Sequence, residues 1–176
     1  LLPREVVSQG QRRAIELYQS GELALLASGA EFLRSIQTNA PGVAEVTSPQ
    51  PPLTGGDGTA NVALMTLAVP RQSQRPQEAM SFALDLTNGP NQARFAREAR
   101  VLPSSLEALK QVRAELEAER PATREQAQIR EARLLSAKTL EGARVLVPAT
   151  PGVKRLQSIV YTQLQRAMLG QISSEE

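Results

Sequence analysis

At 176 residues, of which 41% are apolar, the chain is long enough to bury one core or two small ones. It holds neither Cys nor His, which excludes disulfides, thiolate metal sites, a cysteine nucleophile and a Ser-His-Asp triad within it. The net charge is only +2, all bases except Lys110, Lys138 and Lys154 are Arg, and no basic cluster interleaved with aromatics marks a nucleic-acid surface.

Residues 3–19 place Val6, Val7, Ile15 and Leu17 at helical positions, with Gly10 as a weak point and Ser20-Gly21 as the stop. Residues 23–27 (LALLA) read as a short apolar strand. Ser28-Gly29 turns the chain into a short helix over 30–38 that holds Phe32, Leu33 and Ile36. Asn39, Ala40, Pro41 and Gly42 break it, and 43–47 is a second strand candidate. The density of Pro and Gly makes 48–58 a loop. Within it Gly55-Gly56-Asp57-Gly58 lacks the Gly-Lys-Ser/Thr ending of a phosphate loop, so it reads as a flexible turn.

The apolar run over 62–70 predicts a strand covered on both faces and ended by Pro70, which cannot donate to a ladder. After a polar loop over 71–75, Pro76 suits the first turn of a helix carrying Ala79, Phe82, Ala83 and Leu86. Asn88-Gly89-Pro90 stops it, and a second short helix holds Ala93, Phe95 and Ala96. Leu102-Pro103 is extended, because proline disfavours helical geometry in the residue before it. Ser104-Ser105-Leu106-Glu107 has the capping-box pattern and opens a helix with Leu106, Leu109, Val112 and Leu116 on one side. Pro121 separates it from a helix over 123–137, where Thr123 and Gln126 stand in the same relation. Arg and acidic residues interleave along 113–133, the pattern of a solvated helix face. Residues 144–147 form a strand candidate closed by Pro148. The strongest amphipathic pattern is 151–169, with Val153, Leu156, Ile159, Val160, Leu164, Ala167 and Met168, capped by Gly170. Ser173-Ser174-Glu175-Glu176 is a helix-start pattern with no helix after it, which predicts a longer parent protein; the local alternative is a frayed tail.

Several of these pieces, in this order, resemble one family. Ser20-Gly21-Glu22-Leu23-Ala24-Leu25-Leu26 is similar to its entry into a strand, and residues 27–33 to the glycine-containing turn that follows. Residues 62–70 resemble its strand ending in Val-Pro, and 87–92 its Thr-x-x-x-Asn-Gln helix junction. Val101-Leu102-Pro103-Ser104 resembles a lobe exit, residues 147–151 the last cleft segment, and 166–173 the C-terminal Ala-Leu-x-Gly helix end. The family is the extracytoplasmic solute-binding proteins of sugar ABC importers (family 1, maltose-binding-protein-like), and the match falls on its C-terminal half.

The resemblance implies an α/β, periplasmic-binding-protein type II-like fold, incomplete here, since family members are about twice this length. Residues 1–58 would be a second-lobe part, 59–101 a segment returned to the first lobe, and 102–176 the C-terminal part of the second lobe. The implied function is binding of a carbohydrate in an interlobe cleft and delivery to ABC permease subunits. The protein would be a periplasmic or extracytoplasmic monomer held at the membrane through the transporter. No catalysis, cofactor or metal is implied, and exposed apolar surface would make the chain poorly soluble. The implied ligand residues are Gly29, Ala30, Glu31 and Phe32 at the turn, Asn61 and Val62 at the crossover, and Pro151 and Gly152 at the last cleft segment. Glu31 would accept hydrogen bonds from sugar hydroxyls or serve as a first-turn acid. Phe32 would stack on a sugar or fill the helix core. Relatives often place an aromatic near Pro151-Gly152; this chain has none there and no Trp, which argues for a smaller or more polar solute, or for aromatics in the other lobe. The contrasting reading is a small cytoplasmic α/β interaction domain whose Arg/Glu helices dock a partner.

Overall fold

A computed structural model of the chain describes residues 10–145, 147 and 150–173. The described elements are all helices: α1 Gln11–Gln19, α2 Glu31–Asn39, α3 Pro41–Val46, α4 Pro76–Leu86, α5 Gly89–Ala99, α6 Leu106–Ala118, α7 Arg124–Gly142 and α8 Val153–Met168. They fall into two compact units, Ala27–Arg144 on one hand and Leu1–Leu26 with Val145–Glu176 on the other.

The described residues are mostly helical, and the strands expected of an α/β fold do not form among them. The strand predicted over 23–27 has no regular structure, and that over 43–47 is largely α3. Pro41 occupies the first turn of α3, where its missing N–H is not needed, and Ala44 is buried. The run over 62–70 forms no strand either. Its pairing is a single parallel bridge between Asn61 and Arg144. Arg144 N–H donates to Ala60 O, and Val62 N–H to Arg144 O, each at 3.0 Å. A strand is stable only beside a neighbour that takes its N–H and C=O groups, and residues 63–68 are exposed without one. Of the strand predicted over 144–147, Leu146 lies outside the described residues and only Arg144 pairs.

The helices follow local signals more closely. The N-terminal part of the helix expected over 3–19 lies outside the described residues; α1 begins after Gly10. It ends in a Schellman turn: Gly21 has φ +78, its N–H donates to Tyr18 O, and Glu22 N–H donates to Leu17 O. The end of α8 repeats this with Gly170 at φ +69, bonded to Ala167 O, and Gln171 bonded to Arg166 O. Asn88-Gly89-Pro90 does more than stop α4. Asn88 Oδ1 accepts from Asn91 N–H at 2.9 Å and caps α5, whose first residues are Gly89 and Pro90. The capping box expected from Ser104 is displaced by one residue: Ser105 caps α6 by accepting from Ala108 N–H. Ser104 is occupied elsewhere, since its N–H and hydroxyl both donate to Gln92 Oε1, at 2.8 and 3.1 Å. Thr123 caps α7 as predicted, while Gln126 Oε1 accepts from Ala122 N–H rather than from Thr123.

In the unit Ala27–Arg144, α5 packs on α6, α6 on α7, α7 on α2, and α2 on α3. Ala96, Val112 and Leu116 form the centre, with Leu134 against them. Around it Ala93, Ala108, Leu109, Ala132, Ala137, Leu33, Ile36 and Ala44 are buried. Two polar bridges tie the helices. Gln128 Nε2 donates to Ala44 O and Thr47 O at 2.8 and 2.6 Å, and its Oε1 accepts from Gln37 Nε2 at 2.9 Å. Arg130 donates to the last-turn carbonyls of α6, from Nε to Leu116 O at 2.6 Å and from Nη2 to Glu117 O at 3.0 Å. Such bonds satisfy carbonyls that a helix end leaves without an intrahelical partner.

In the other unit the apolar stripe of α8 forms as its spacing predicts, yet no α8 residue is buried; Leu156 is 61% exposed, and Ile159, Val160, Leu164 and Met168 are also open. In the unit Ala27–Arg144, α4 likewise buries nothing and exposes Met80, Phe82, Leu84 and Leu86.

Candidate functional site

A cavity of about 250 Å³ lies within the unit Ala27–Arg144, lined by Ala30, Glu31 and Arg34 from α2, Glu98, Ala99 and Arg100 from the end of α5, and Ile129 and Arg133 from α7. The α2 turn sets the first group. Phe32 N–H donates to Gly29 O and Leu33 N–H to Ala30 O, so the helix starts at the rim. Ala30 and Arg34 are one turn apart and share a face, while Leu33 and Ile36 point into the core. Ala30, at the N-cap, supplies no side-chain cap. The Glu31 carboxylate folds back over Gly29, so closely that a Cβ on residue 29 would fall on it.

Arg100 ends α5 in the left-handed region, φ 57, an uncommon conformation for a residue with a side chain. Ile129 and Arg133 are again one helical turn apart. Arg133 Nη2 donates to Ala96 O at 3.4 Å, near the end of α5, and its Nε is buried with no hydrogen-bond partner. Burial lowers the Arg133 pKa below the ordinary arginine value; Glu119 opposes that shift, nearby Arg100 adds to it, and Glu115 opposes it. Arginine remains a cation even so. Among the described residues, none of Glu31, Arg34, Glu98, Arg100 and Arg133 makes an ion pair. The cavity is thus lined by three arginines and two glutamates, with Glu119 and Glu115 acting on Arg133 from beyond that lining.

A second cavity, of about 490 Å³, is also lined by Arg133, with Arg97, Val112, Glu115, Leu116, Ala118 and Glu119. Its Arg97 and Glu115 are already paired at 2.9 Å.

The expected ligand residues fall in several places. Ala30 and Glu31 line the first cavity, and Gly29 lies beneath the Glu31 carboxylate. Phe32 is half-buried and lines neither cavity. Asn61 and Val62 lie at the bridge to Arg144. Pro151 and Gly152 belong to the other unit, where Gly152, at φ +86, is the N-cap of α8. Arg34, Glu98, Arg100 and Arg133 were not predicted. The interleaved charges over 113–133 read as a solvated face, but Arg130 and Arg133 turn inward to helix-end carbonyls. Among the described residues, no group of three or more carboxylates could hold a metal ion, and no helix is long and apolar enough to cross a membrane.

The chain is similar to two solved structures of a protein from Synechococcus sp. MITs9220, given provisionally as an oligosaccharide periplasmic-binding protein; one of the two is a complex with zinc. Identity is 85% and the TM-score 0.92 in both cases, over 98% and 99% of this chain. This chain spans 44% and 43% of those chains, less than half their length. It matches no protein-family model and no curated protein.

Proposed function

We propose that this chain is part of the solute-binding component of an ABC importer, of the maltose-binding-protein-like family, which takes a carbohydrate in a cleft between two lobes and delivers it to membrane permease subunits. The observation that carries this reading is 85% identity, at a TM-score of 0.92, over nearly the whole chain to a protein named for periplasmic oligosaccharide binding. In this reading residues 1–58 and 102–176 belong to the second lobe of a type II-like binding fold, and 59–101 to the first. The open apolar faces of α4 and α8 and the unpaired run over 63–68 support it, because the remainder of a two-lobe protein would supply covering helices and neighbouring strands. Gly29, Ala30, Glu31, Phe32, Asn61, Val62, Pro151 and Gly152 are the proposed ligand contacts. Closure of the lobes around the solute would present the liganded form to the permease. The protein acts as a monomer in the periplasm and performs no catalysis.

A thermal-shift screen of the native-length protein against sugars, polyols, amino acids and sugar phosphates tests this. A ligand present well above its dissociation constant raises the melting temperature by mass action. A rise confined to one sugar class is the expected result. A folded protein that responds to none of them would overturn the reading and favour the interaction domain.

A further inference from the structure

We propose that the cavity between α2, α5 and α7 is a subsite for an acidic sugar residue, with its carboxylate held by Arg34, Arg100 and Arg133 and its hydroxyls by Glu31 and Glu98; this rests on the carbohydrate-binding reading. Arg34, Arg100 and Arg133 line about 250 Å³ together with Glu31 and Glu98, and Glu119 and Glu115 act on Arg133 from beyond that lining. None of the five lining residues is neutralised by an ion pair. Like charges so placed oppose one another, and an incoming anion relieves that opposition.

The cations are held in place by the fold. Arg133 is tethered through Nη2 to Ala96 O, and its Nε is buried without a partner. Arg100 sits on a left-handed backbone at the end of α5, and Arg34 one turn into α2. Guanidinium groups match a planar carboxylate edge to edge, with two parallel hydrogen bonds, better than any neutral group. Unpaired carboxylates such as Glu31 and Glu98 only accept, which suits sugar hydroxyls. The volume is below the roughly 300–1,000 Å³ of pockets for drug-sized ligands, so it admits one ring rather than a chain of them.

Calorimetric titration of the native-length protein with methyl glucuronide, methyl glucoside, a sulfated methyl glycoside and sodium sulfate separates the outcomes. The expected result is binding of the glucuronide at least about tenfold tighter than the glucoside, the scale of one charge-assisted hydrogen bond. Arg34→Gln and Arg100→Gly each lower glucuronide affinity by about tenfold, while Arg120→Gln, outside the cavity, leaves it unchanged. Arg100→Gly removes the charge at a backbone position glycine prefers, so loss of folding does not confuse the result. Glucoside binding equal to glucuronide would overturn the acidic-sugar subsite and leave the carbohydrate reading standing. Sodium sulfate or the sulfated glycoside binding as tightly as the glucuronide would overturn the carboxylate assignment. A folded protein that binds no sugar at all would overturn both.

Discussion

Replacing Gln92 by Ala unfastens α5 from the start of α6. The Gln92 Oε1 atom accepts from Ser104 N–H, Ser104 Oγ and Ser105 N–H at 2.8, 3.1 and 2.9 Å, and Nε2 donates to Thr87 O at 2.6 Å. One amide therefore joins the end of α4, the body of α5 and the N-cap of α6. A net hydrogen bond contributes about 0.5–1.5 kcal/mol, so four bonds set an upper limit of about 6 kcal/mol. Ser104 is exposed and its two groups can turn to water, which leaves the half-buried Ser105 amide and the Thr87 carbonyl as the main losses. Ala is a slightly better helix former than Gln and returns a few tenths of a kcal/mol. The expected cost is about 2 kcal/mol. Gln92→Glu keeps the acceptor but sets a carboxylate oxygen against the Thr87 carbonyl, so it should fall between Ala and Gln. Urea denaturation followed by far-UV circular dichroism measures this, since both tyrosines, Tyr18 and Tyr161, lie in the other unit. A loss under about 0.5 kcal/mol for Gln92→Ala, with m unchanged, would refute the argument by showing that water satisfies these groups equally well.

Val112→Ala removes the largest side chain fully buried among the described residues and should cost about 2 kcal/mol through lost contacts and a residual cavity, read as a lowered urea midpoint. Gly29→Ala should leave that midpoint within about 0.5 kcal/mol, because only the flexible Glu31 carboxylate must move, yet it should weaken sugar binding in calorimetric titration by displacing that acceptor. Asp57 accepts from the Thr59 N–H and hydroxyl, both at 3.0 Å, and these bonds lower its pKa from 3.8. A folded-state value below the unfolded one means the turn's ordering is fully present above pH 3.8 and is lost as pH falls through the lowered value. The Thr59 amide resonance, followed by NMR from pH 6 down to about pH 2, should shift with that titration.

Helices were readable where their signals are local. Pro76, Asn88, Thr123 and Gly170 each act on backbone groups within a few residues, so α4, the α4–α5 junction, α7 and the end of α8 follow from short stretches of sequence. The Ser104–Ser105 displacement shows the limit: Gln92, twelve residues earlier, takes the Ser104 groups and passes the capping role to Ser105. Strands failed because pairing is not local. Residues 62–70 have the composition of a buried strand, but only Arg144 comes alongside, and 43–46 is apolar enough for either a strand or one helical turn. The cavity also divides. Ala30 and Glu31, named through the family resemblance, line the cavity, whereas Arg133 gains its place from a carbonyl on α5, and Arg100 adopts a conformation that sequence assigns to glycine.

The core of the larger unit is built largely from alanine: Ala44, Ala93, Ala96, Ala108, Ala132 and Ala137 are all buried. Alanine gives up no rotamer freedom on folding, so each of these positions is ordered without the side-chain entropy loss that Leu or Met would carry. Little can be removed there, and the harmful direction of change is reversed relative to a leucine-rich core. Conversion to Gly loosens the helix backbone, while an added isopropyl or isobutyl group at Ala96 or Ala137, both fully enclosed, forces neighbouring helices apart. The sites least tolerant of added bulk are therefore those with the smallest side chains.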